Sequence, residues 1–526
     1  MAETLIEFRE WGPAAFEEAR AADRPVFLYL TAPWCSWCER MEREALSAPG
    51  VAANVNDSFL PVRVDADRQP RVRERYGAGG FPSTVFCTPD GRVITAAGHM
   101  ETDSLRSAVE RVREAYESRG DDAGRVPRAL REPEPPAGAL DSVEAHMNGQ
   151  LEVAFDAEHG GWGTDAKFPL PRTVEYALKR DRARAVQSLG AVRANLQAED
   201  GGVYRYADGR DWSRPHRERL LDENAAVLRA FSTGYLYTGE ERFRAGAADA
   251  TEYLTTTLWT GEAFAASQAG QDGLPPEERV EHPPVDETLF ADRNGLAVDA
   301  LLRFSAYTDH EAAGEYAQRA LATVLARLVE DGAVRHFDGP DAERGLLADQ
   351  ALVLRALTTA AGVLGREHLE AARVVADRTI EARLDDGTFL DGPREGPGLL
   401  DRPLRPLEAT VDLAEGLVDL AALTGEDRYR EVAREALSAY AGAADRMGVE
   451  VAAYADAVTR LRAEPLALVV ADAPGSDLHR AAWRVADHAK VVVPTGEQEG
   501  EAWVRGHEGR AGDPESLLGL VRAATS

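Results

Sequence analysis

The chain has 526 residues, 44% of them hydrophobic, and a formal net charge of −30. This length predicts about two or three domains, and an acidic chain without a basic patch excludes a nucleic-acid binder. No stretch approaches the ~18 consecutive apolar residues of a membrane helix, and the N-terminus lacks the basic and apolar regions of a signal peptide. We therefore expect a cytoplasmic protein with neither nucleic-acid nor membrane partners.

The charged residues are unevenly chosen. Lysine occurs only at Lys167, Lys179 and Lys490, while acidic residues are spread along the whole chain. We interpret the acidity as a surface adapted to high internal salt, as in halophiles, and not as a signal for a partner. A count of three cysteines excludes a disulfide scaffold, and in a reducing cytoplasm a disulfide is more often catalytic than structural.

The stretch 32–38, Ala-Pro-Trp-Cys-Ser-Trp-Cys, holds two of the three cysteines, Cys35 and Cys38. The apolar run 25–30 before it predicts a buried strand, and residues 39–46 after it predict a helix. A Cys-x-x-Cys pair at such a junction places the first sulfur at a helix N-terminus, where free N–H groups and the helix dipole favour the thiolate. The second sulfur, one turn on, can then attack a mixed disulfide and release the partner.

The residues around this pair support two other roles less well. A zinc site needs about four ligands, and only Cys87 and His99 remain nearby, so we expect no metal. Two buried structural cysteines would poorly explain the position at a strand-to-helix junction. We therefore expect a redox-active dithiol that needs no cofactor.

The rest of the first domain, residues 1–118, alternates strands with helices. We predict strands at 57–65, after 79–80 and near 93–94, and helices at 69–76 and 102–117. The order β-α-β-α-β-β-α, with Gly79-Gly80-Phe81-Pro82-Ser83-Thr84 before a late strand, resembles the thioredoxin fold. The resemblance implies that Pro82 is cis and faces the dithiol, where its missing N–H leaves neighbouring backbone groups free for a bound substrate chain.

The chain departs from thioredoxins at two positions beside the dithiol. Tyr29 stands six residues before Cys35, where thioredoxins keep a buried acid, and Glu39 follows Cys38, where a lysine is common. These changes favour a dedicated partner over a role as a general electron donor.

The remainder of the chain has a helical repeat. Residues 119–139 are charged and proline-rich, which predicts a linker. Beyond them, helical hairpins of similar apolar pattern recur about every 55–70 residues, so 140–464 has room for about six. This predicts an (α/α)6 toroid, the architecture of many glycoside-processing enzymes and sugar epimerases, with an open solenoid as the alternative. The tail, 465–526, predicts a small α/β appendage with a packing role, since it has no glycine-rich phosphate loop.

A second set of motifs lies in this helical region. It comprises Asp156-x-x-x-Gly160-Gly161-Trp162-Gly163-x-x-x-Lys167-Phe168-Pro169, Gly201-Gly202-Val203-Tyr204-Arg205-Tyr206, Asp211-Trp212, Leu221-Asp222-Glu223-Asn224-Ala225, Asn294-Gly295-Leu296 and Asp349-Gln350-Ala351. Together with the Cys-x-x-Cys domain, the series resembles the spermatogenesis-associated-protein-20-like family, also called the YyaL family, from about Trp11 onward. The resemblance implies a thioredoxin-like domain followed by a six-hairpin toroid, in a family whose biochemical role is largely uncharacterised.

Polar side chains recur at the predicted N-terminal ends of the inner helices, which meet at one mouth in a toroid. They are His216, Asp222, Glu223, Asp292, Asn294, Asp349 and Gln350. Further candidates for substrate binding lie in the adjoining motifs: Trp162, Lys167, Phe168, Tyr204, Arg205, Tyr206 and Trp212. Paired carboxylates beside aromatic rings suit sugar chemistry, with one acid protonating a leaving oxygen and another acting as base or nucleophile. Each polar residue taken singly is also explained as a helix N-cap or by packing.

Three functions are consistent with these features. The first is dithiol–disulfide exchange at Cys35 and Cys38, with Pro82 beside them and the toroid selecting a protein partner or a small molecule. The second is a carbohydrate-active toroid, a hydrolase or an epimerase, that uses Asp222, Glu223, His216 or Asp349 and carries a vestigial or regulatory redox domain. The third is a non-catalytic interaction scaffold. The sequence favours the first.

Overall fold

The computed structural model describes residues 4–131 and 134–525, and the chain divides into two compact units. The first unit comprises Met1–Glu134, Ser267–Asp286 and Asp391–Leu404, and the second comprises Pro135–Ala266, Glu287–Leu390 and Arg405–Ser526. Two segments of the first unit therefore come from the range predicted as the toroid. Glu132 and Pro133, part of the predicted linker, lie outside the described residues, and the predicted domain limits stay predictions.

The first unit is built on a five-stranded sheet with helices around it. The strands are β1 (Arg9–Glu10), β2 (Val26–Thr31), β3 (Leu60–Asp65), β4 (Ser83–Cys87) and β5 (Val93–Ala97). The helices are α1 (Pro13–Ala22), α2 (Ser36–Arg43), α3 (Pro49–Ser58), α4 (Pro70–Tyr76), α5 (Thr102–Arg119) and α6 (Arg128–Arg131). The strand order is β1-β3-β2-β4-β5, with β2 parallel to β3 and antiparallel to β4.

The central strand β2 explains why the chain folds this way here. All six of its residues are buried, because helices cover both faces of the sheet and a strand in that position has no solvent side. The strand ends at Thr31, and the Cys-x-x-Cys loop follows at once and starts α2. The predicted thioredoxin-like fold is confirmed.

One predicted boundary in this unit is wrong. The strand predicted from Asp57 begins at Leu60, because Asp57 and Ser58 are the last residues of α3. Pro49 is the first residue of that helix, where a proline costs no hydrogen bond and its fixed φ suits the helix.

Two buried arginines, Arg71 and Arg75, bind the segment Asp391–Leu404 to the rest of the first unit. Arg75 pairs with Asp391 at 2.7 Å and donates to the carbonyl of Leu399 at 3.1 Å. Arg71 donates to the carbonyl of Leu400 at 2.8 Å. Leu399 and Leu400 are themselves part of the hydrophobic core around β2 and β3. This part of the core is therefore completed by residues from far along the chain.

The second unit is a closed double ring of helices. Its helices are α7 (Val143–Val153), α8 (Pro171–Arg180), α9 (Arg182–Asn195), α10 (Leu221–Thr238), α11 (Glu241–Thr256), α12 (Ala291–Thr308), α13 (Glu311–Leu328), α14 (Leu347–Val363), α15 (Leu369–Arg383), α16 (Leu407–Thr424), α17 (Asp427–Ser438) and α18 (Ala452–Arg462). The even-numbered helices α8 to α18 form the inner ring, in which each packs against the next and α18 packs against α8. The predicted (α/α)6 toroid is confirmed, since an open solenoid would not return to its first helix.

Burial patterns separate the two rings. Fourteen of the seventeen residues of α14 are buried, which is the all-round burial of a helix surrounded by others. Its neighbour α15 buries only Leu369, Ala372, Val375, Ala376 and Thr379, a stripe at the spacing of one helix face. No helix in the described part of the chain is long and apolar enough to cross a membrane.

Short strand pairs lie between helices of the second unit. They include Tyr206–Ala207 with Pro215–His216, Val329–Glu330 with Ala333–Val334, and Leu384–Asp385 with Thr388–Phe389. Arg219–Leu220 is a further two-residue strand directly before α10. These strand pairs shape segments that contain glycine and that connect the helices.

The C-terminal segment has the predicted small α/β form. Its strands are β6 (Ala467–Ala471), β7 (Val491–Pro494) and β8 (Glu501–Val504), and its helices are α19 (Asp477–Trp483) and α20 (Pro514–Thr525). The central strand β6 is parallel to β7 and antiparallel to β8. The indole N–H of Trp483 donates to the carbonyl of Gly362 in α14 at 3.1 Å, so this segment packs on the toroid.

The inner helices carry a ring of charges, which we call the charge ring, and all of them are buried except the partly exposed Arg460. Its members, one from each inner helix in order around the ring, are Glu175, Arg229, Asp299, Arg355, Glu415 and Arg460. The signs alternate, so three positive and three negative charges balance. From α10 onward the member is the ninth residue of its helix in every case.

Close contacts join the members of the charge ring. Arg229 binds Glu175 at 2.8 Å and Asp299 at 3.0 Å, and Arg355 lies 3.2 Å from Glu415. Although burial alone would raise it, the guanidinium groups of Arg172 and Arg355 hold the pKa of Glu415 at about 2. A void of only about 30 Å³ remains among these side chains. The middle of the toroid is thus filled with paired charges.

We predict that Arg229→Leu lowers the free energy of unfolding by about 3–5 kcal/mol, because it leaves Glu175 and Asp299 buried without their shared partner. Denaturant unfolding followed by circular dichroism measures the change. Arg244→Leu on the neighbouring helix α11 is the control, since its ion pair with Glu241 is exposed and contributes little. Equal stability of the two variants would contradict a structural role for the charge ring.

Candidate functional site

The Cys35–Cys38 pair lies where the sequence places it, at the start of α2. Cys35 is the residue before the helix, its Sγ accepts the backbone N–H of Cys38 at 3.0 Å, and the two sulfurs form a disulfide. A sulfur that accepts a helix N-terminal N–H is stabilised as the thiolate once the disulfide is reduced. Cys35 is 8% exposed and Cys38 1%, so Cys35 is the sulfur that an outside group reaches first.

Burial keeps the side chains of Tyr29 and Cys87 protonated. The hydroxyl of Tyr29 donates to the carbonyl of Cys38 at 3.1 Å, and burial raises the pKa of Tyr29 far above its usual value. Tyr29 therefore stays protonated and cannot take a proton from Cys38. The third cysteine, Cys87, is buried in β4, and burial likewise raises the pKa of its thiol.

Aromatic rings surround the dithiol loop. Trp34 stacks edge-on against Phe81 with ring centres 5.3 Å apart, and its indole N–H donates to Asp67 at 2.9 Å. The peptide bond between Phe81 and Pro82 is cis, as the resemblance to thioredoxin implies. Trp37 lies edge-on to His99 at 5.4 Å. The loop is therefore held between rigid side chains.

A segment from later in the chain covers this loop. Residues 269–273, which we call the strap, lie between two short paired strands, Ser267–Gln268 and Val285–Asp286. The N–H of Gly270 donates to the carbonyl of Trp34, and the N–H of Gly273 donates to the hydroxyl of Ser36, each at 3.0 Å. A β-carbon at position 273 would lie 2.8 Å from the carbonyl carbon of Ser36, so only glycine allows this approach. The strap thus contacts Ser36, one of the two residues between the cysteines.

In the second unit, three of the predicted residues form a stack of rings. Tyr206 lies between Phe168, at 4.7 Å, and His216, at 4.1 Å, with the planes nearly parallel. Phe168 is 46% exposed, so the stack reaches the surface. His216 lies 3.2 Å from Asp208 and 3.6 Å from Glu218, and although burial opposes it, these carboxylates raise the pKa of His216.

Glu223 lies beside this stack at the start of α10. Burial, followed by the neighbouring carboxylate of Asp222, raises the pKa of Glu223 to about 8. Arg205 bridges Glu223 at 3.4 Å and Glu218 at 3.5 Å. Glu223 is therefore a carboxyl group that is largely protonated at neutral pH, next to Glu218, whose pKa is lowered by His216 although burial opposes that shift.

Asp349 belongs to a separate buried group at the starts of α12 and α14. Nδ1 of His336 lies 3.0 Å from both carboxylate oxygens of Asp349, and ligand atoms of Asp292, His336 and Asp349 all lie within 4.8 Å of one another. Burial raises the pKa of Asp349 to about 6, while His336 opposes that shift. Of the three, His336 has no place among the sequence candidates.

The remaining predicted residues bind the protein itself. Asn294 accepts the N–H of Phe264 and donates to its carbonyl, both at 3.0 Å, and Gln350 accepts the N–H of Val334 at 2.6 Å. Both amides are buried and pin a glycine-bearing segment to the next inner helix. Their role in substrate binding stays a prediction, and the geometry gives each a structural role.

Lys167 and the two tryptophans are also buried. Lys167 pairs with Asp156 at 3.0 Å, and the hydrogen bond from Arg210, with help from Lys167, holds the pKa of Asp156 well below its usual value. Trp162 donates to the carbonyl of Leu151, and Trp212 to that of His159. Tyr204 is half-buried beneath Arg219. Of the residues predicted to bind a substrate, Phe168 and Arg205 thus lie near Glu223.

The sequence held an unused signal for the charge ring. In three inner helices a charged residue follows a buried amide by five positions: Arg229 after Asn224, Asp299 after Asn294 and Arg355 after Gln350. That fixed offset marks the charge ring. The strap had no comparable signal, because a glycine in a loop does not indicate what the loop touches.

We predict that Gly273→Val makes Cys35 of the reduced protein react at least about tenfold faster with iodoacetamide, because the added side chain cannot fit against Ser36 and forces the strap open. Mass spectrometry of Cys35 over time measures the rate. Gly50→Ala is the matched control, since a β-carbon there meets nothing within 4 Å. An unchanged rate in Gly273→Val would show that the strap does not limit access.

Comparison with known proteins gives matches to both parts of the chain. The family Thioredox_DsbH, described as a protein of unknown function, DUF255, matches residues 1–131. Thiol:disulfide interchange protein DsbD 1 of Pseudomonas aeruginosa is 37% identical over 82 residues, which are 15% of this chain and 14% of that protein. A solved structure, that of a sugar epimerase from a ruminal bacterium, aligns with 60% of this chain and 85% of its own at 13% identity and a TM-score of 0.46.

The longer sequence matches include spermatogenesis-associated protein 20 from three mammals. Spermatogenesis-associated protein 20 of Homo sapiens is 25% identical over 320 residues, which are 53% of this chain and 40% of that protein. The matched region spans 36–41% of the length of the first curated relatives. The predicted resemblance is confirmed: over about half of its length the chain is similar to spermatogenesis-associated protein 20, and its first domain is thioredoxin-like.

Proposed function

We propose that the protein is a thiol–disulfide oxidoreductase whose Cys35–Cys38 pair exchanges electrons with a disulfide of a dedicated protein partner. The observation that carries the proposal is the position of Cys35, whose sulfur accepts a helix N-terminal N–H while its partner Cys38 is buried one turn on. The sequence matches to a DUF255 family and to a thiol:disulfide interchange protein support the same chemistry.

The exchange takes two steps from the reduced protein. The Cys35 thiolate attacks one sulfur of the partner's disulfide, which forms a mixed disulfide and releases the partner's other sulfur as a thiolate. The Cys38 thiolate then attacks the Cys35 sulfur, which forms the Cys35–Cys38 disulfide and releases the second partner thiolate. The partner gains two electrons and this protein loses two. The same steps in reverse oxidise a partner dithiol.

Limited access supports a dedicated partner over a general one. Cys35 is almost covered, and the strap lies on Ser36 between the two cysteines. A partner must therefore either move the strap or fit the small exposed part of Cys35. We further propose that this partner is a cytoplasmic protein and neither a nucleic acid nor a membrane, which the charge of −30 supports because anionic surfaces would repel it. The salt-adapted surface stays a prediction.

We predict that Cys35 and Cys38 form a reversible disulfide. In a titration with redox buffers of defined potential, alkylation of the native protein labels neither cysteine under oxidising conditions and labels Cys35 under reducing ones. Cys87 serves as the internal control, since it is buried and its thiol resists ionisation, so it is labelled only after unfolding.

Single substitutions distinguish the two cysteines. Cys38→Ser should accumulate a mixed disulfide with a small disulfide such as oxidised glutathione, because the resolving sulfur is gone, whereas Cys35→Ser should form none. If both cysteines stay unreactive in the folded protein at every potential, the redox function is excluded, and a carbohydrate-active protein or an interaction scaffold remains.

We also propose a carbohydrate-directed site at the mouth of the toroid, as the second candidate. The observation in its favour is Glu223, a carboxyl group with a pKa of about 8 beside Asp222 and next to the exposed ring stack of Phe168, Tyr206 and His216. A protonated carboxyl group can donate a proton to a leaving oxygen, and flat rings bind the apolar faces of sugars. The filled centre of the toroid confines such a site to the mouth.

If this site is catalytic, we predict that activity is present below pH 8 and lost as the pH rises through about 8, because only protonated Glu223 can act as the acid. Glu223→Gln removes the activity and the pH dependence together, while Glu241→Gln on the surface of α11 changes neither. A panel of mannosides, glucosides and free sugars, followed by reducing-sugar release and by polarimetry for epimerisation, provides the assay. Activity that is retained in Glu223→Gln would exclude this role.

A further inference from the structure

The group Asp292, His336 and Asp349 has the composition of a metal site. It lies in the second unit, where α12 and α14 begin next to each other, and its ligand atoms lie within 4.8 Å of one another. His336 is 3% exposed and Asp349 is fully buried, while Asp292 is partly exposed. The sequence predicted no metal because only Cys87 and His99 remained as further ligands near the dithiol, and His336 was not among the candidate residues.

We propose that Asp292, His336 and Asp349 bind one divalent transition-metal ion of the Zn²⁺ type. One imidazole nitrogen with two carboxylates is a ligand set that zinc accepts, whereas calcium and magnesium prefer oxygen alone and iron–sulfur or copper(I) sites prefer thiolates. The site is separate from the dithiol and independent of the function proposed for it.

An ion pair leaves this group unbalanced in charge. Nδ1 of His336 is equidistant, at 3.0 Å, from both oxygens of Asp349, so in an ion pair one N–H is shared between two acceptors. Two carboxylates also outnumber one imidazole, so even a protonated His336 leaves the group with a net negative charge. A divalent cation would balance both carboxylates and use the imidazole as a neutral ligand.

The repeat shows that capping does not require the group. Asp222 has the same place in α10 as Asp292 has in α12, the second residue of the helix, and in both cases Oδ1 accepts the N–H of the next residue, at 3.1 Å and 2.8 Å. Among the described residues, Asp222 performs this role without a histidine and a second carboxylate close enough to complete a group of three. At α12 the carboxylate of Asp349 also accepts the N–H of Asp292 at 3.3 Å, whereas the imidazole of His336 contacts Asp349 and is not needed for the helix start.

The partial exposure of Asp292 gives the ion one open side. Three protein ligands leave at least one coordination position for water, which is the pattern of zinc sites that take part in reactions, in contrast to closed structural sites with four. An ion here would lie among the mouth residues of the inner helices, where a small polar ligand could reach it.

Metal retention after dialysis tests the proposal. The full-length protein carries Cys35→Ser and Cys38→Ser, so that reduced thiolates cannot bind zinc. After removal of metals with a chelator, it is dialysed against Zn²⁺ or Mn²⁺ and its metal content is measured by mass spectrometry. We expect one equivalent of ion and a higher melting temperature with the ion than without it.

Three variants locate the ion. Asp292→Asn and His336→Gln should bind it at least about tenfold more weakly, and Asp222→Asn, the matched control, should bind as the parent does. Circular dichroism without metal checks the fold, and Asp292→Asn decides if His336→Gln does not fold. Absence of bound ion in the parent, or equal loss or equal retention in Asp292→Asn and Asp222→Asn, would overturn the proposal.

Discussion

The charge ring is the constraint on which the toroid depends. A charged group inside a protein must be paired, since an isolated buried charge costs several kcal/mol or more. Each inner helix contributes one member: Arg229 lies between Glu175 and Asp299 of the neighbouring helices, Arg355 pairs with Glu415, and Arg460 pairs with Asp419. A helix that slid by one turn would leave its neighbours unpaired. The ring therefore fixes the height of every inner helix relative to the others, which the apolar contacts between the helices do not specify by themselves.

This pairing also explains why the toroid has little open interior. Inner helices that line a wide cavity need side chains that water or a ligand can solvate. Here arginines and acids from different inner helices approach to hydrogen-bond distance, as in the contact of Arg172 with Glu415 at 2.6 Å, and they leave room for about one water. Space for a binding or reactive site in the second unit is consequently found at the ends of the helices. Glu223 lies there, and so does the group of Asp292, His336 and Asp349.

The elements that sequence could predict are those with local signals. The Cys-x-x-Cys junction and the recurring hairpins fixed the two kinds of fold, because strand burial, helix starts and apolar period are all properties of short stretches. The start of β3 was misplaced because nothing in Asp57 and Ser58 shows that α3 still holds them. Asn294 and Gln350 looked like ligand contacts because an amide has the same appearance in the sequence whether it binds a sugar or a backbone.

What the sequence could not show are contacts between residues far apart. His336 joins Asp349 across thirteen positions and Asp292 across many more, and only folding brings the three together. The strap comes from more than two hundred positions after the dithiol that it covers. Long-range pairing of this kind depends on loop geometry, which cannot be inferred from individual residues.

The discontinuity of the first unit has a consequence for the order in which the protein is made. A ribosome synthesises Cys35 long before the strap at 269–273, and Asp391 later still. During that interval the dithiol is not covered by the strap, and Arg75 lacks the carboxylate that it binds in the complete protein. The Cys35–Cys38 loop of the nascent chain therefore lacks the cover of the strap until residue 273, about halfway along the chain, has been made.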